Sequence, residues 1–416
     1  MRIRKIICFF YILIIFILCT CNDPVYYAIS QEIKPIEPRI SGVPTNFVVF
    51  DGRMYIASGP TVFSYNYNTG DVDPDKQYWK RETSPGGNIL QIASAGGNLY
   101  ALCATNQNND GRTIVRRYDK DNSTWISIGG LLNDYAKIQN IFAAGDVLFI
   151  WATLSTTNYN YNVLCIKNGT DAFNLMGNGN QDDTGIITGA AYNGSSYFLP
   201  FTAKKRDKEK ISGVYKIDGI NFGVNTIMFK NAEGNDINIH FNGIINLEDG
   251  AKNILLISRG GEIYFVNDSI EKIENIFMGR ISTGALAIYE KPPEPGDDPS
   301  VSPKRLLLAG RQDSLNYSSS FGYSYGYLEL ELDDIGIKSG VNFTEPGRTS
   351  VSTLTDYERY KSSLGKYPIN YLFQAPSGID SNMTLFASTQ INGVWSCRDR
   401  DQNNNKYWNA EGENEP

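Results

Sequence analysis

Between Ile89 and Gly130 the chain alternates short apolar runs with polar turns. Apolar ILQIA comes first, GGN turns into LYALCA, a polar loop leads to TIVRRYD, and KDN turns into STWISI. Apolar runs of this length between Gly- and Asn-rich breaks predict strands, so the stretch reads as a four-stranded meander. One meander cannot bury both of its faces, and copies of it have to stack.

The second strand of the unit is the easiest to follow, because a Gly turn precedes it. Gly52-Arg-Met-Tyr55, Gly97-Asn-Leu-Tyr100, Gly145-Asp-Val-Leu148 and Gly194-Ser-Ser-Tyr197 share one frame, at spacings of 45, 48 and 49 residues. Weaker copies start near Ile254, Leu306 and Leu385. Third strands follow at Val62, Ile114, Val163, Val214, Glu262, Tyr325 and Gly393, and fourth strands are plainest near Trp79, Trp125, Phe173, Ile227 and Trp408. Four strands repeated with a period of about 40–50 residues predict an all-β fold, a β-propeller. Seven four-stranded blades fit best, with six or eight as the alternatives. The propeller is expected over residues 45–416, with insertions at 291–303 (KPPEPGDDPSVSP) and 342–368.

Ahead of the repeats stands MRIRKIICFFYILIIFILCTC, a short basic start and then an apolar run from Ile6 to Leu18. The run falls short of the ~20 residues a spanning helix needs and suits a signal peptide over residues 1–20. Leu18-Cys19-Thr20-Cys21 resembles a bacterial lipobox in the relaxed form typical of spirochaete lipoproteins. The resemblance implies cleavage after Thr20 and lipid on Cys21, and the alternative is an ordinary signal peptide cut a little later. Residues 21–44, with Pro24, Pro35, Pro38 and Pro44, read as an extended tether, whose later part around Glu32 to Ile40 is also suited to pairing with the last blade.

Two units carry a further resemblance. DGRMYIASG, and GGNLYALCA followed by RRYDKDNSTW, are similar to kelch repeats, with Tyr118, Asp119 and Trp125 in place and the diglycine after the second strand absent. The last unit, LFASTQINGVWSCRDRDQNNNKYW, resembles sialidase-type repeats but lacks their Asp-box. These likenesses imply the fold class and leave the activity open.

Charge narrows the function classes. The whole chain has a formal charge of -7, and removal of Arg2, Arg4 and Lys5 with the leader brings it to about -10. An acidic body without a basic stripe argues against nucleic acid, which requires clustered Lys and Arg. His240 is the only histidine, which excludes multi-histidine zinc sites and leaves it as a solvated or edge-strand residue. Cys103, Cys165 and Cys397 lie in core-like strands and read as buried thiols.

Three further groups are candidate sites. Asp71, Asp73 and Asp75 mimic the ligand spacing of an EF-hand loop, which makes Ca2+ the one cofactor to consider. However, Lys76 stands where that loop needs Gly. Asp119 and Asp121, before Trp125, and Asp399 and Asp401, before Trp408, favour instead a hairpin whose Asp side chains cap their own turn. Trp151, Tyr159 and Tyr161, and Tyr317, Tyr323 and Tyr325, sit among Ser, Asn and Gly, the mixture that adaptable binding surfaces use. Tyr55, Tyr100, Phe149, Tyr197, Trp125 and Trp408 read as packing between blades.

The expected protein is an exported lipoprotein held at a bacterial membrane by lipid, with the outer membrane or cell surface favoured over the inner membrane. Its propeller is expected to be a non-enzymatic binding or assembly module for protein or glycan, with no catalytic residues. The alternative is an extracytoplasmic, sialidase-like carbohydrate hydrolase using the propeller funnel. Arg and carboxylates lining one end of the channel would favour the hydrolase, and Asn, Ser and backbone would favour binding alone.

Overall fold

The structure, a computed structural model, describes residue 40 and residues 42–410. Within that range it leaves out 67–78, 106–111, 131, 133–134, 136, 154–160, 168, 170–171, 177–184, 207–208, 232, 248–253, 260–261, 267–268, 276–280, 292–303, 312–326, 334–335, 338–368, 377–382, 391–392 and 401–405. The leader, Cys21, most of the tether and nearly all of both insertions therefore lie outside the described residues.

The described strands form seven antiparallel sheets, six of four strands and one of five. Sheet one holds Val48–Phe50, Arg53–Ser58, Thr61–Asn66 and Trp79–Glu82, and sheet two holds Asn88–Ala95, Asn98–Ala104, Thr113–Asp119 and Thr124–Ser127. Sheet three holds Lys137–Ala144, Val147–Thr153, Tyr161–Lys167 and Phe173–Met176. In sheet four the first strand is broken into Ile186–Ile187 and Ala191–Tyr192, followed by Ser196–Arg206, Glu209–Asp218 and Val224–Met228. Sheet five holds Phe241–Asn246, Ile254–Ser258, Glu262–Val266 and Ile270–Asn275, and sheet six holds Ile281–Lys291, Lys304–Arg311, Tyr327–Asp333 and Gly336–Ile337. Sheet seven holds Ile369–Pro376, Met383–Thr389, Val394–Arg400 and Lys406–Ala410. The fold is an all-β propeller.

Sheets one to five each bury both faces against their neighbours, as an isolated meander cannot. Tyr55 and Val62 of sheet one pack with Ile92 and Leu99 of sheet two, and Tyr100 and Leu102 of sheet two pack with Ile141 and Leu148 of sheet three. Phe149 meets Tyr197 across the next seam with ring centroids 5.4 Å apart. Phe198 packs with Phe241 and Leu256, and Leu255 with Leu307. Side by side lie the first strands of sheets six and seven. Ala375, Phe386 and Val394 of sheet seven join Met54, Ile56 and Trp79 of sheet one, which closes the ring. Each fully buried large side chain contributes about 1.5–3 kcal/mol. The seams, rather than any single sheet, therefore hold the molecule together.

No described sheet mixes strands from the two chain ends. The closing seam is helped instead by the residues that enter it. Ile40 is fully buried in the cluster between sheets seven and one, and the Gly42 carbonyl accepts a 3.3 Å hydrogen bond from the Gly393 amide. Ile40 and Gly42 thus meet the last sheet, while Glu32 to Arg39, where pairing is expected from the sequence, lie outside the described residues.

The first hairpin shows where the sequence frame holds and where it slips. Asp51-Gly52 and Gly96-Gly97 each form a two-residue turn with φ positive at both positions, the mirror-image turn whose twist matches its strands. In sheets three and four the turns are Gly145-Asp146 and Gly194-Ser195, so the glycine is the first turn residue and not the second. A one-residue slip turns every side chain to the other face. The structural counterparts of Tyr55 and Tyr100 are accordingly Phe149 and Phe198, which face the following sheet, whereas Leu148 and Tyr197 face the preceding one.

Candidate functional site: the central channel

The first strand of each sheet pairs on one side only, and its other edge faces a common channel. These strands share an irregularity. One residue too many opposes the second strand at Leu90, Gln139, Asn242 and Asn370, between the pairs that flank each of them. Sheet one has the same extra residue between Pro44 and Val48, sheet four breaks at Thr188–Ala190, and sheet six has a longer irregularity between Ile281 and Leu286. A bulge bends a strand and re-aims the side chains beyond it. The residues just after the bulge, among them Gln91, Gly243 and Tyr371, are those that line the channel.

The channel encloses about 400 Å³. All seven first strands contribute, through Asn46 to Val49, Gln91 to Ser94, Ile141 to Ala143, Thr188 to Ala190, Gly243 with Ile244, Leu286, and Tyr371 to Phe373. Among the described residues, this lining carries no Asp, Glu, Lys, Arg or His. Tyr371 is the one titratable member, and burial pushes its phenol above its ordinary value, which keeps it neutral at physiological pH.

Two kinds of contact close the wall. In sheets one to three, side-chain amides clip the exposed backbone of the next sheet. Asn46 Nδ2 donates to the Ile92 carbonyl at 2.6 Å and Asn46 Oδ1 accepts from the Ile92 amide at 3.2 Å. Gln91 Oε1 accepts from the Ile141 amide at 2.9 Å. In sheets four to six, glycines form sockets for aliphatic side chains. A Cβ on Gly189 would come within 2.7 Å of Ile244 Cγ2, and one on Gly243 would overlap Leu286 Cδ1. Between the two regimes sits Thr188, whose Oγ1 is buried without a hydrogen-bond partner.

Of the expected site residues, only Trp151 and Tyr161 are described, and neither lines the channel. Trp151, expected on a binding surface, is only 7% exposed. It packs between sheets three and four with Val163 and Leu199, because its strand is apolar on both faces. Tyr161 opens the third strand of sheet three opposite Thr153. Cys21, Asp71, Asp73, Asp75, Tyr159, Tyr317, Tyr323 and Tyr325 lie outside the described residues. His240 is exposed, as expected of a solvated residue. Cys103 and Cys165 are buried free thiols, and burial pushes them up to about 11 and about 12.

The self-capping turn is present. Asp119 Oδ1 accepts from the Asp121 amide at 3.2 Å and Asp119 Oδ2 from Asn122 Nδ2 at 2.8 Å, and these bonds hold its carboxyl below the usual range. The amide clips and glycine sockets were not singled out from sequence. Their one signal is the polar or small residue in an otherwise apolar first strand, at Asn46, Gln91 and Gly243.

No family model matches the chain, and no curated protein matches it. Solved structures do. The chain is similar to the N-terminal domain of Nup159, at 9% identity and a TM-score of 0.46, over 87% of this chain and 92% of that one. It is similar to the β-propeller domain of the Trilobed protease from Pyrococcus furiosus, at 8% identity and a TM-score of 0.46, over 90% and 100%. A third is the Dos1 propeller, at 12% identity and a TM-score of 0.45, over 91% and 85%.

Proposed function

We propose that this protein is an exported lipoprotein, anchored to a bacterial membrane through lipid on Cys21, whose propeller is a non-enzymatic binding or assembly module for protein or glycan. The observation that carries the reading is a channel whose described lining is uncharged. Glycoside hydrolysis of the common kind needs a pair of carboxylates, and a sialidase-like site needs arginines for its substrate's carboxylate. The channel wall offers amides, hydroxyls, aromatics and backbone instead. Such groups hold and orient a ligand, and among the described residues no carboxylate or imidazole of the lining stands by to activate a hydroxyl as a nucleophile or to serve as acid or base.

Two measurements test the reading. Intact mass and detergent phase partitioning of the full chain beside a Cys21→Ala variant test the anchor: a multi-acyl mass increment and detergent-phase recovery, both lost in the variant, are expected. An unmodified product cut beyond Cys21 removes the anchor. Turnover of a panel of fluorogenic glycosides by the purified protein tests the module. No turnover above buffer is expected, and turnover abolished by substituting a channel residue would replace the module with the hydrolase.

A further inference from the structure

We propose that the end of the propeller where the chain enters is a basic face that lies against anionic lipid headgroups, so that the other end looks away from the membrane. The inference rests on the lipid-anchor reading above and adds an orientation to it. Antiparallel meanders give the ring two ends. The hairpins between second and third strands, and the links from sheet to sheet, lie at one end, and the remaining hairpins lie at the other. The chain enters at the first of these. Gly42 bonds Gly393 in the second-to-third hairpin of sheet seven, and Pro44 pairs with Ser58, where the second strand of sheet one ends.

The same end carries a basic ribbon. In sheet four the first and fourth strands stop opposite Thr202 and Gly213. Beyond them the second and third strands continue as a two-stranded ribbon through Lys204 with Ile211, Lys205 with Lys210 and Arg206 with Glu209, a projection of about 10 Å. Those three pairs hold four cations and one anion. Lys230, in the link to sheet five, and Arg259, in the second-to-third hairpin of sheet five, are exposed at the same end, and the Arg259 amide donates to the His240 carbonyl where that link closes. Against these six cations stand Glu209, Glu233 and Asp236, a local charge of +3 on a chain whose total is -7. At the other end cations are matched by carboxylates, Lys120 Nζ lying 2.7 Å from Asp51 and Lys167 Nζ 3.8 Å from Asp146.

The tether by itself does not choose an end. Nineteen positions separate Cys21 from Ile40, a reach of up to roughly 60 Å, against ~20 Å for a blade strand. Charge does choose. An anionic surface favours each nearby Lys or Arg about fivefold, and its potential decays over ~8 Å at physiological salt. Carboxylates at the far end lie more than two such lengths away, so the acidic total does not cancel the local attraction. Because the lipid holds the protein at the surface, a contact too weak to recruit a free protein is enough to orient an anchored one. Nucleic acid asks for a longer cationic track than three strand pairs supply.

The test uses the full lipidated chain inserted into preformed vesicles of phosphatidylcholine, or of phosphatidylcholine mixed with phosphatidylglycerol. Lysines are acylated with a water-soluble amine reagent and read one by one by mass spectrometry. Lys204, Lys205, Lys210 and Lys230 are expected to label about threefold or more slowly on the anionic vesicles and to recover at high salt, while Lys120 labels alike on both. Lys204→Gln, Lys205→Gln and Arg206→Gln combined are expected to restore Lys230 labelling on anionic vesicles and to leave the melting temperature unchanged, because the ribbon lies outside the seams. Equal labelling on both vesicles, slowing of Lys120 instead, Lys230 still protected in the triple variant, or protection by single-stranded DNA and not by vesicles each overturns the proposal. Flotation keeps it apart from the anchor reading. A chain that floats with neutral vesicles yet shows no lysine difference is anchored without this face, one that floats with anionic vesicles alone has the face without the anchor, and one that floats with neither ends both.

Discussion

The two arcs of the channel wall solve one problem in different ways. Every first strand is an edge strand, with backbone amides and carbonyls turned toward the centre and exposed to unwanted pairing. From sheet one to sheet three the answer is polar: Asn46 and Gln91 reach across and satisfy the neighbour's backbone. From sheet four to sheet six it is steric: Ile244 fills the space over Gly189, and Leu286 the space over Gly243. A clip specifies register, since a one-residue slip offers it the wrong group. A socket specifies distance, since only the absence of a Cβ allows the approach. The first arc should therefore tolerate changes of size better than changes of polarity, and the second the reverse.

The largest effect is expected at the tightest socket. Gly243→Val puts two methyl groups where Leu286 lies, and overpacking of this kind costs about 1–3 kcal/mol, here near the upper end. Leu286→Ala in the same chain vacates the space and should restore most of the loss, so denaturant midpoints of the double variant should exceed those of Gly243→Val alone. A double variant no better than the single would mean that the socket is not what places sheets five and six. Next comes the clip. Asn46→Leu keeps the volume but leaves the Ile92 amide and carbonyl without their protein partner, at a cost of about 1–3 kcal/mol, reduced where channel water reaches them. Asn46→Ser, shorter but polar, should lose less. Equal losses for Leu and Ser would show that Asn46 acts by size and would erase the contrast between the arcs.

That contrast was only half legible in the sequence. The propeller itself was legible, because period-two apolar runs between glycine turns recur at nearly constant spacing and the seams need only apolar side chains on both faces. The frame was legible for Tyr55 and Tyr100, where glycine is the second turn residue. It slipped at Leu148 and Tyr197, because glycine there comes first and counting from glycine shifts the strand by one. Pairing the last residue before each turn with the first after it, Ala95 with Asn98 and Ala144 with Val147, corrects the slip. Trp151 drew attention as an aromatic beside a Tyr-rich loop, yet the strand VLFIWAT is buried throughout, which its unbroken apolar run already implied. The channel was not legible. Bulges leave no composition of their own, and Asn46 or Gln91 in a strand looks like any surface amide until the neighbouring edge is known.

A smaller effect sharpens the contrast through chemistry that only one arc carries. Cys103 and Cys165 lie in sheets two and three, and burial raises both thiols, so neither reacts readily while the clipped arc is closed. Asn46→Ala, which opens the clip across the seam where Cys103 packs, should speed labelling of Cys103 by a thiol reagent, read site by site by mass spectrometry, whereas Gly243→Val should change it much less. Equal acceleration by both would mean that the ring opens as one body. The same thiols set an alkaline limit. Their folded values, about 11 and about 12, lie above the ordinary 9.0, so the stability they contribute is complete below pH 9 and is lost as pH rises through 11 to 12.

The smallest effect belongs at the rim, where the two arcs should not differ at all. Asp119 in sheet two and Asp218 in sheet four each cap their own turn, Asp119 through both carboxylate oxygens and Asp218 through Oδ1 alone, which accepts from the amides of Ile220 at 2.9 Å and Asn221 at 2.8 Å. Those bonds hold both carboxyls below the usual range. A depressed carboxyl contributes stability above its unfolded value that fades as pH falls through the folded one, so both caps should weaken only on the acid side of the ordinary carboxylate pKa. Asn keeps the single oxygen that Asp218 uses and one of the two that Asp119 uses, whereas Ala removes all of them. Asp218→Asn should therefore leave the melting temperature nearly unchanged at neutral pH, Asp119→Asn should lower it slightly through the lost Asn122 bond, and the two Ala variants should lower it slightly and by equal amounts. Equal losses at the rim, beside unequal responses in the channel, would confine the difference between the arcs to the wall that faces the channel. Unequal losses at the rim would instead mean that sheet four is intrinsically weaker than sheet two, and that the sockets report local softness rather than a second way of closing a ring.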